Sequence, residues 1–320
     1  MDIFIDINDF VSKKSIHKGS FTDIFECEKD SSTNKKYILK TLNFLANSAK
    51  KQEIIMEAFY IIHKMENQYI RSYKFISMKN IYKTAFAMEY ISSKTLENVL
   101  KDPCKMKTLS LRYIMNCIFS VSEAMNYLHE NLIVHSNLCP ANIIIDDANQ
   151  FYVIDFGLYS IKKLYIGKKY LFANDYKDPQ LENNEPDFKN DIYSFGILIC
   201  QLFLTHLQKD NEDQKETLHA FIVSKNKKKY DKFPKFCSDL IPACLNSNEQ
   251  ERPSFRQIID NFKNKKYDQN DIKITDLYRE FNNTTNIKKR GRPKKASNKD
   301  LIASDKPKTK KKISKKQKSN

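Results

Sequence analysis

Two short polar motifs between His135 and Gly157 stand against two apolar runs, and the rest of the chain can be placed from them. His135-Ser136-Asn137-Leu138-Cys139-Pro140-Ala141-Asn142 leads into Ile143, Ile144 and Ile145, and an Asp/Asn turn follows. Tyr152, Val153 and Ile154 then run into Asp155-Phe156-Gly157. Short β-branched runs bounded by turn formers read as strands, so the order is loop, strand, turn, strand, loop. The 320 residues are 41% hydrophobic with 21 Phe and 17 Tyr, enough for a sizeable core in one large domain or two.

Upstream, Ile16-His17-Lys18-Gly19-Ser20-Phe21-Thr22-Asp23-Ile24 reads by itself as a hairpin, and Lys36 to Lys40 as a strand ending in lysine. Apolar residues Ile54, Ile55, Ala58, Ile61 and Ile62 fall at three- and four-residue spacing in a helix from about Ala46 to Met65. The same periodicity predicts a helix from Leu109 to Glu130, and Ser93 is placed to cap a shorter one. Downstream, Asp191-Ile192-Tyr193-Ser194-Phe195-Gly196 opens an apolar helix through Leu204.

These segments together resemble the eukaryotic protein kinases, whose catalytic loop H-R-D-L-x-x-x-N and metal loop D-F-G match at His135, Leu138, Pro140, Asn142, Asp155, Phe156 and Gly157. The resemblance covers about residues 10–265. It implies an α+β, bilobal fold: a β-rich N-terminal lobe to about residue 88, a connection at 89–92 and a mainly helical lobe at 93–265. It also implies ATP and Mg2+ as ligands. Lys40 then corresponds to the lysine holding the α- and β-phosphates, and Glu57 to the helix carboxylate that pairs with it. Gly19 marks the phosphate loop, with Ile24, Ile38 and Ile144 lining the nucleotide. Met88 becomes the gatekeeper, followed by Glu89 and Ile91 at the connection. Asn142 and Asp155 are the implied metal ligands. His135, Phe156, Gly157 and the loop-bracing Asp191 have structural roles, as does Arg252, to which Gln180 is an available hydrogen-bond partner.

The departures concern chemistry. Asn137 stands where the family has its general base, and an amide can position a hydroxyl but cannot take its proton. Cys139 replaces the loop lysine directed at the γ-phosphate, and Ser136 replaces the arginine that clamps a phosphorylated activation segment. Ile38 replaces a small alanine above the adenine, narrowing the pocket. The pattern H-x-N-x-C resembles the catalytic loop of the Janus-kinase pseudokinase domains. Three functions stand open: a pseudokinase retaining part of a Mg-ATP site and regulating a protein partner, an active Ser/Thr or Tyr kinase with an atypical loop, and a nucleotide-independent scaffold.

Charge is uneven. Of a net +16, residues 287–320 carry 15 Lys and Arg against two Asp, leaving only +3 for the rest. After a polar linker at 266–286 with a short helix near Ile274 to Phe281, a disordered basic tail is expected. Within it Arg290-Gly291-Arg292-Pro293, flanked by lysines, resembles the AT-hook, whose Arg side chains enter the narrow, electronegative minor groove of AT-rich DNA. A nuclear import signal is the competing reading. Either implies a nuclear, intracellular protein. No signal peptide is visible, and the longest apolar run, Phe195 to Leu204, contains Gln201 and is too short for a bilayer, so no membrane partner is expected. The seven cysteines form no C-x-x-C pair, which suggests reduced thiols rather than a disulfide or zinc framework.

Overall fold

A computed structural model describes residues 3–28, 35–78, 84–102, 104, 109–166, 174–181, 185–208, 218–223 and 233–264. The chain divides into units Met1–Tyr278 and Arg279–Asn320, and all described residues belong to the first. The helix expected near Ile274 to Phe281 and the AT-hook-like residues Arg290, Gly291, Arg292 and Pro293 lie outside them.

Strands β1 (Val11–Lys18), β2 (Thr22–Glu28), β3 (Lys36–Leu42), β4 (Phe75–Ser77) and β5 (Ala85–Glu89) form one antiparallel sheet in the order β1-β2-β3-β5-β4. Residues 3–5 extend its β4 edge: Ile5 N–H donates to Ile76 O at 3.0 Å and Ile76 N–H to Ile3 O at 2.9 Å. Because side chains alternate along a strand, β3 divides into two faces. Tyr37 and Leu39 join Phe10, Cys27, Ala85 and Ala87 in the core of one face. Ile38 and Lys40 take the other, opposite Met88 and Phe86 of β5. Helix α1 (Ala49–Lys64) covers this second face with Ile55, Ala58, Phe59 and Ile62, and Phe59 stacks on Phe86 with centroids 6.1 Å apart. Ile61, expected in that stripe, is half exposed. Ser48 caps α1 through Lys51 N–H, starting it three residues later than the apolar pattern suggests.

The second lobe opens with β6 (Ser93–Thr95) and α2 (Leu96–Lys101). Ser93 pairs with Asp146 in a strand, so Thr95, not Ser93, caps α2 by accepting from Asn98 N–H at 3.1 Å. Helix α3 (Leu111–Glu130), capped by Ser110, is this lobe's buried axis: Ile114, Ile118, Val121, Met125 and Leu128 have no exposed surface to within 1%. Burying each such side chain stabilises by about 1.5–3 kcal/mol. Around it lie β7 (Ile143–Asp146), β8 (Phe151–Val153), α4 (Tyr159–Ile166), α5 (Phe188–Gln208), α6 (Leu218–Val223), α7 (Lys235–Cys244) and α8 (Phe255–Asn264). Strands β6, β7 and β8 form a small antiparallel sheet. The lobes join where Val153 N–H donates to Tyr69 O at 2.9 Å and Arg71 N–H to Val153 O at 3.0 Å. Arg71 also lies over the Tyr152 ring, 3.7 Å from its centroid. Among the described residues no helix is long and apolar enough to cross a membrane.

Candidate functional site

The β7–β8 hairpin forms because Asp146 closes its turn, accepting from Ala148 and Gln150 N–H at 2.9 Å each, while Asn149 takes a left-handed φ of 56°. Its two open ends carry the two polar motifs. On the incoming side the backbone is forced through Ser136 at φ 64°, and the buried Asp191 of α5 holds it there. The Asp191 carboxylate accepts from His135 N–H at 2.8 Å and Ser136 N–H at 2.9 Å, and contacts His129 Nε2 at 3.0 Å. Asp191 thus lies against the loop that it is expected to brace. His135 is buried, which lowers its pKa and keeps the ring neutral. Asn137 N–H lies 3.3 Å from its Nδ1, so the proton sits on Nε2 and is donated to Ile154 O at 3.1 Å. Asn142 donates from its amide nitrogen to Asn137 O at 2.8 Å, and Ile154 N–H donates to Asn142 O at 3.0 Å, which sets Asn142 beside Asp155.

Asp155 has φ 63° and Gly157 φ 71°; a Cβ on Gly157 would meet Ile62 Cγ1 of α1 at 3.2 Å, so glycine serves both the backbone and the packing. Phe156 is buried between them. The partner of Lys40 differs from expectation. Glu57 is exposed and makes no pair with Lys40; the lysine bonds directly to Asp155 Oδ2. Helix α1 turns its Ile55, Ala58, Phe59 and Ile62 face to the sheet, which leaves Glu57 on the solvent side. Asp155 Oδ1 is taken by the hydroxyl of Tyr73 at 2.5 Å, a residue with no motif to mark it in the sequence. Burial alone would raise the Asp155 carboxyl, but the charge of Lys40 and the bonds from Lys40 and Tyr73 outweigh it and hold the pKa below the ordinary range. The Tyr73 phenol is pushed well up, first by burial and then by Asp155.

Above this pair, Gly19 sits in the β1–β2 turn, where its N–H reaches Thr22 O at 3.1 Å and Asp23 Oδ1 at 3.2 Å. An added Cβ would lie 3.0 Å from both His17 Nε2 and Thr22 O. Ile24 pairs with Lys40 across β2–β3, and Ile38 with Met88 across β3–β5, so the expected nucleotide-lining residues of this lobe share neighbouring strands. Met88 is buried, Ile38 and Ile91 are half-buried and Glu89 is exposed. Ile144 is buried on β7, opposite Thr95 and Tyr152.

Helix α4, directly after Leu158, packs against α1 and beneath the β1–β2 turn. Tyr165 lies in a ring cluster with Phe21 (5.5 Å) and Phe44 (5.4 Å), and its hydroxyl donates to Ser20 O at 2.5 Å. Lys162 on the same helix is partly buried near Lys40, Asp155 and Cys139; burial first, then repulsion from Lys40, lowers its pKa from 10.5 to about 8. Cys139 is buried and its thiol is pushed up by desolvation, so it is not an activated nucleophile.

The far anchor of the lobe is rewired. Gln180 does not bond Arg252; its side-chain amide donates to Ser247 O. Arg252 instead pairs with the buried Asp178 through both terminal nitrogens, and donates from Nε to Asn246 O at 2.9 Å. Asn190 Nδ2 completes Asp178 at 2.8 Å. A carboxylate two residues earlier has taken the ion pair that Gln180 cannot form, and Pro179 between them left no sequence cue to it.

The donors fit magnesium. The Asn142 amide uses its nitrogen internally and keeps its oxygen, its backbone is tied to Ile154, the residue before Asp155, and each Asp155 oxygen retains a lone pair beyond its bond to Lys40 or Tyr73.

The protein kinase domain model matches residues 10–262. Over 281 residues the chain is 24% identical to human receptor-interacting serine/threonine-protein kinase 1, covering 80% of this chain and 40% of that protein. It is 32% identical over 181 residues to a probable serine/threonine-protein kinase of Dictyostelium discoideum, covering 55% of this chain and 17% of the other. A probable inactive serine/threonine-protein kinase of the same organism is 25% identical over 240 residues, 71% of this chain and 20% of that one. The chain thus spans less than half the length of each of these three relatives. With its two-lobed architecture, its Asp191-braced loop and a family match over most of its length, the chain belongs to the protein kinase family.

Proposed function

We propose that this chain is a regulatory kinase-fold protein with little or no phosphotransfer, retaining part of a Mg-nucleotide site and acting on a protein partner by binding. The observation that carries this reading is Asn137. It lies in an otherwise well-ordered loop, tied through its own N–H and C=O to His135 and Asn142, at the position of the family's proton acceptor. Loss of a general base lowers rates by about 10²- to 10⁴-fold. Burial of Cys139 in place of a cation removes electrostatic stabilisation as well. Similarity to a protein named a probable inactive kinase supports the same reading.

Lys40 would hold nucleotide phosphates, Asn142 and Asp155 a magnesium ion, and Ile24, Ile38, Met88 and Ile144 the base. Magnesium, when bound, neutralises phosphate charge. A thermal-shift titration with Mg-ATP, run beside a kinase assay on wild type and Asn137→Asp, tests the proposal. Expected are a rise in apparent stability with nucleotide and negligible turnover in wild type. Wild-type turnover at rates ordinary for the family, lost in Lys40→Ala, sinks it.

A nucleotide-independent scaffold is favoured by one feature, the closed Lys40–Asp155–Tyr73 set, which satisfies the site internally. Absence of any thermal shift selects that reading. We further infer that the tail at 287–320 carries the protein to AT-rich DNA in the nucleus, on the strength of Arg290-Gly291-Arg292-Pro293. Preference for AT-rich over GC-rich duplex that persists as salt rises supports this, whereas equal, salt-sensitive loss on both identifies a bare polycation.

A further inference from the structure

Residues 3–9 lie ahead of the matched kinase domain, which begins at residue 10. Isoleucines alternate at Ile3, Ile5 and Ile7, a period that lets an extended chain lay one side on a sheet. Ile5 and Ile7, with Phe10, are buried in the core that holds Tyr37 and Leu39 of β3, and the Phe10 and Tyr37 rings meet edge to face at 5.7 Å. Two carboxylates build the turn that delivers Phe10: Asp6 accepts from Asn8 N–H at 2.9 Å, and Asp9 accepts from Asp6 N–H at 3.3 Å. Lys13 Nζ then donates to Ile7 O at 2.9 Å. The segment is seated and capped.

Its seat is the strand that leads from the site. β4 is three residues long, and β5 is its one ladder partner among the described strands. The N-terminal segment supplies the other edge at a single residue, Ile76, whose N–H donates to Ile3 O at 2.9 Å and whose C=O accepts from Ile5 N–H at 3.0 Å. Ile76 is fully buried and pairs with Phe86 of β5, which stacks on Phe59 of α1 and lies 5.5 Å from the Tyr73 ring. Tyr73, three residues before Ile76, reaches Asp155 Oδ1 at 2.5 Å. An O–H···O bond spans only about 2.5–3.0 Å, so fraying of so short an edge strand is enough to part phenol and carboxylate.

We propose that residues 3–10 are a strap that positions Tyr73: by holding β4 at Ile76 from its outer edge, they keep the phenol on Asp155 and one oxygen of that carboxylate occupied. Release of the strap from β4 then favours magnesium at Asp155. Ile5 is a positioning residue that acts through Tyr73 and touches no ligand. The magnesium arm of this proposal rests on the nucleotide-site reading above, whereas the link from strap to Asp155 does not.

The test compares full-length wild type, Ile5→Pro, Tyr73→Phe, the Ile5→Pro/Tyr73→Phe double variant and Phe25→Ala. Ile5→Pro deletes the N–H that bonds Ile76, and Ile5→Ala, which keeps that bond and only loosens the packing, replaces it should the first not fold. Phe25→Ala loosens the same core from β2 without touching β4's edge. Mg2+ is titrated at fixed ATP, and hydrogen–deuterium exchange of the ligand-free chain is read on peptides spanning Asp155. Ile5→Pro is expected to lower the half-saturating Mg2+ about threefold or more, as does Tyr73→Phe, and the double variant to go no lower than Tyr73→Phe, because both act on one contact. Exchange across Asp155 should quicken in Ile5→Pro and match wild type in Phe25→Ala. Independent, additive shifts, or a lower melting temperature with Mg2+ dependence and Asp155 exchange unchanged, overturn the proposal and leave the segment a purely stabilising one. If wild type binds no ATP, the nucleotide reading falls and the exchange comparison alone decides: quickening across Asp155 in Ile5→Pro but not in Phe25→Ala upholds the strap, and equal exchange in all three overturns it.

Discussion

Tyr73 places a phenol hydroxyl against the Asp155 carboxylate, and that single contact bears on both stability and ligand binding. Tyr73→Phe keeps the ring that tilts against Phe86 but removes the donor. Hydrogen bonds to charged groups contribute about 1.5–3 kcal/mol, so urea unfolding should show a loss of about that size. The freed oxygen should make Mg2+-dependent nucleotide binding tighter, read by titrating Mg2+ at fixed ATP. Lys162 carries the opposite sign. Its folded pKa, about 8, lies below the ordinary 10.5, so the unfolded chain holds the extra proton between those values and stability rises with pH across that window. Lys162→Met should therefore stabilise the ligand-free protein at pH 7 by about 1–3 kcal/mol, and its advantage should shrink toward pH 10. Denaturant midpoints of both proteins at pH 7 and pH 9.5 check this. A constant difference would assign the gain to packing instead of charge.

Between elements, the α5–α7 contact and the Asp178–Arg252 pair are the points where substitution should tell most. A Cβ on Gly196 would lie 2.8 Å from Cys244 Cβ and 2.9 Å from Leu245 Cδ2. Alanine gains about 1 kcal/mol of helix propensity there, but overpacking costs about 1–3 kcal/mol, so Gly196→Ala should lower the melting temperature. Asp178→Ala strands a buried guanidinium and should cost about 3–5 kcal/mol, whereas Gln180→Ala, which loses a bond to one exposed carbonyl, should cost under about 1 kcal/mol. The contrast between these two residues also marks how far the sequence could be read. Asp191 was legible because it opens a run, D-I-Y-S-F-G, whose residue types and spacing belong to one family. The β7–β8 hairpin was legible because three consecutive isoleucines and an Asp/Asn turn leave little choice. Asp178 was not, since its partner lies 74 residues away and the family pattern directs attention to position 180. Glu57 failed for a related reason: spacing places a residue on a helix, but only the packing of Ile55 and Phe59 decides which way that helix is rolled. Tyr73 and Lys162 are ordinary residues in ordinary segments, and their part in the site exists only after the lobes meet.

At the scale of the molecule, besides the Lys40 and Tyr73 bonds to Asp155, two contacts between the lobes differ in kind. One is backbone: Tyr69 and Arg71 paired with Val153, reinforced by Arg71 over Tyr152. The other is the phenol of Tyr165 reaching Ser20 O, with Phe21 and Phe44 beside it. The first fixes where Asp155 arrives relative to Tyr73. The second closes the cleft at the β1–β2 turn, through one hydroxyl and a ring cluster. Its consequence is kinetic. If the Tyr165 latch must lift before ligand enters, the observed association rate will rise with nucleotide concentration only until it reaches the opening rate, then level off. Stopped-flow mixing with a fluorescent ATP analogue should show that plateau in wild type, and Tyr165→Phe, which keeps the ring cluster but loses the hydroxyl, should raise it. A strictly linear dependence in wild type would mean the latch is no barrier. The occupancy lifetime of this protein would then be set by its contacts to the nucleotide alone, and not by how often a tyrosine lets go.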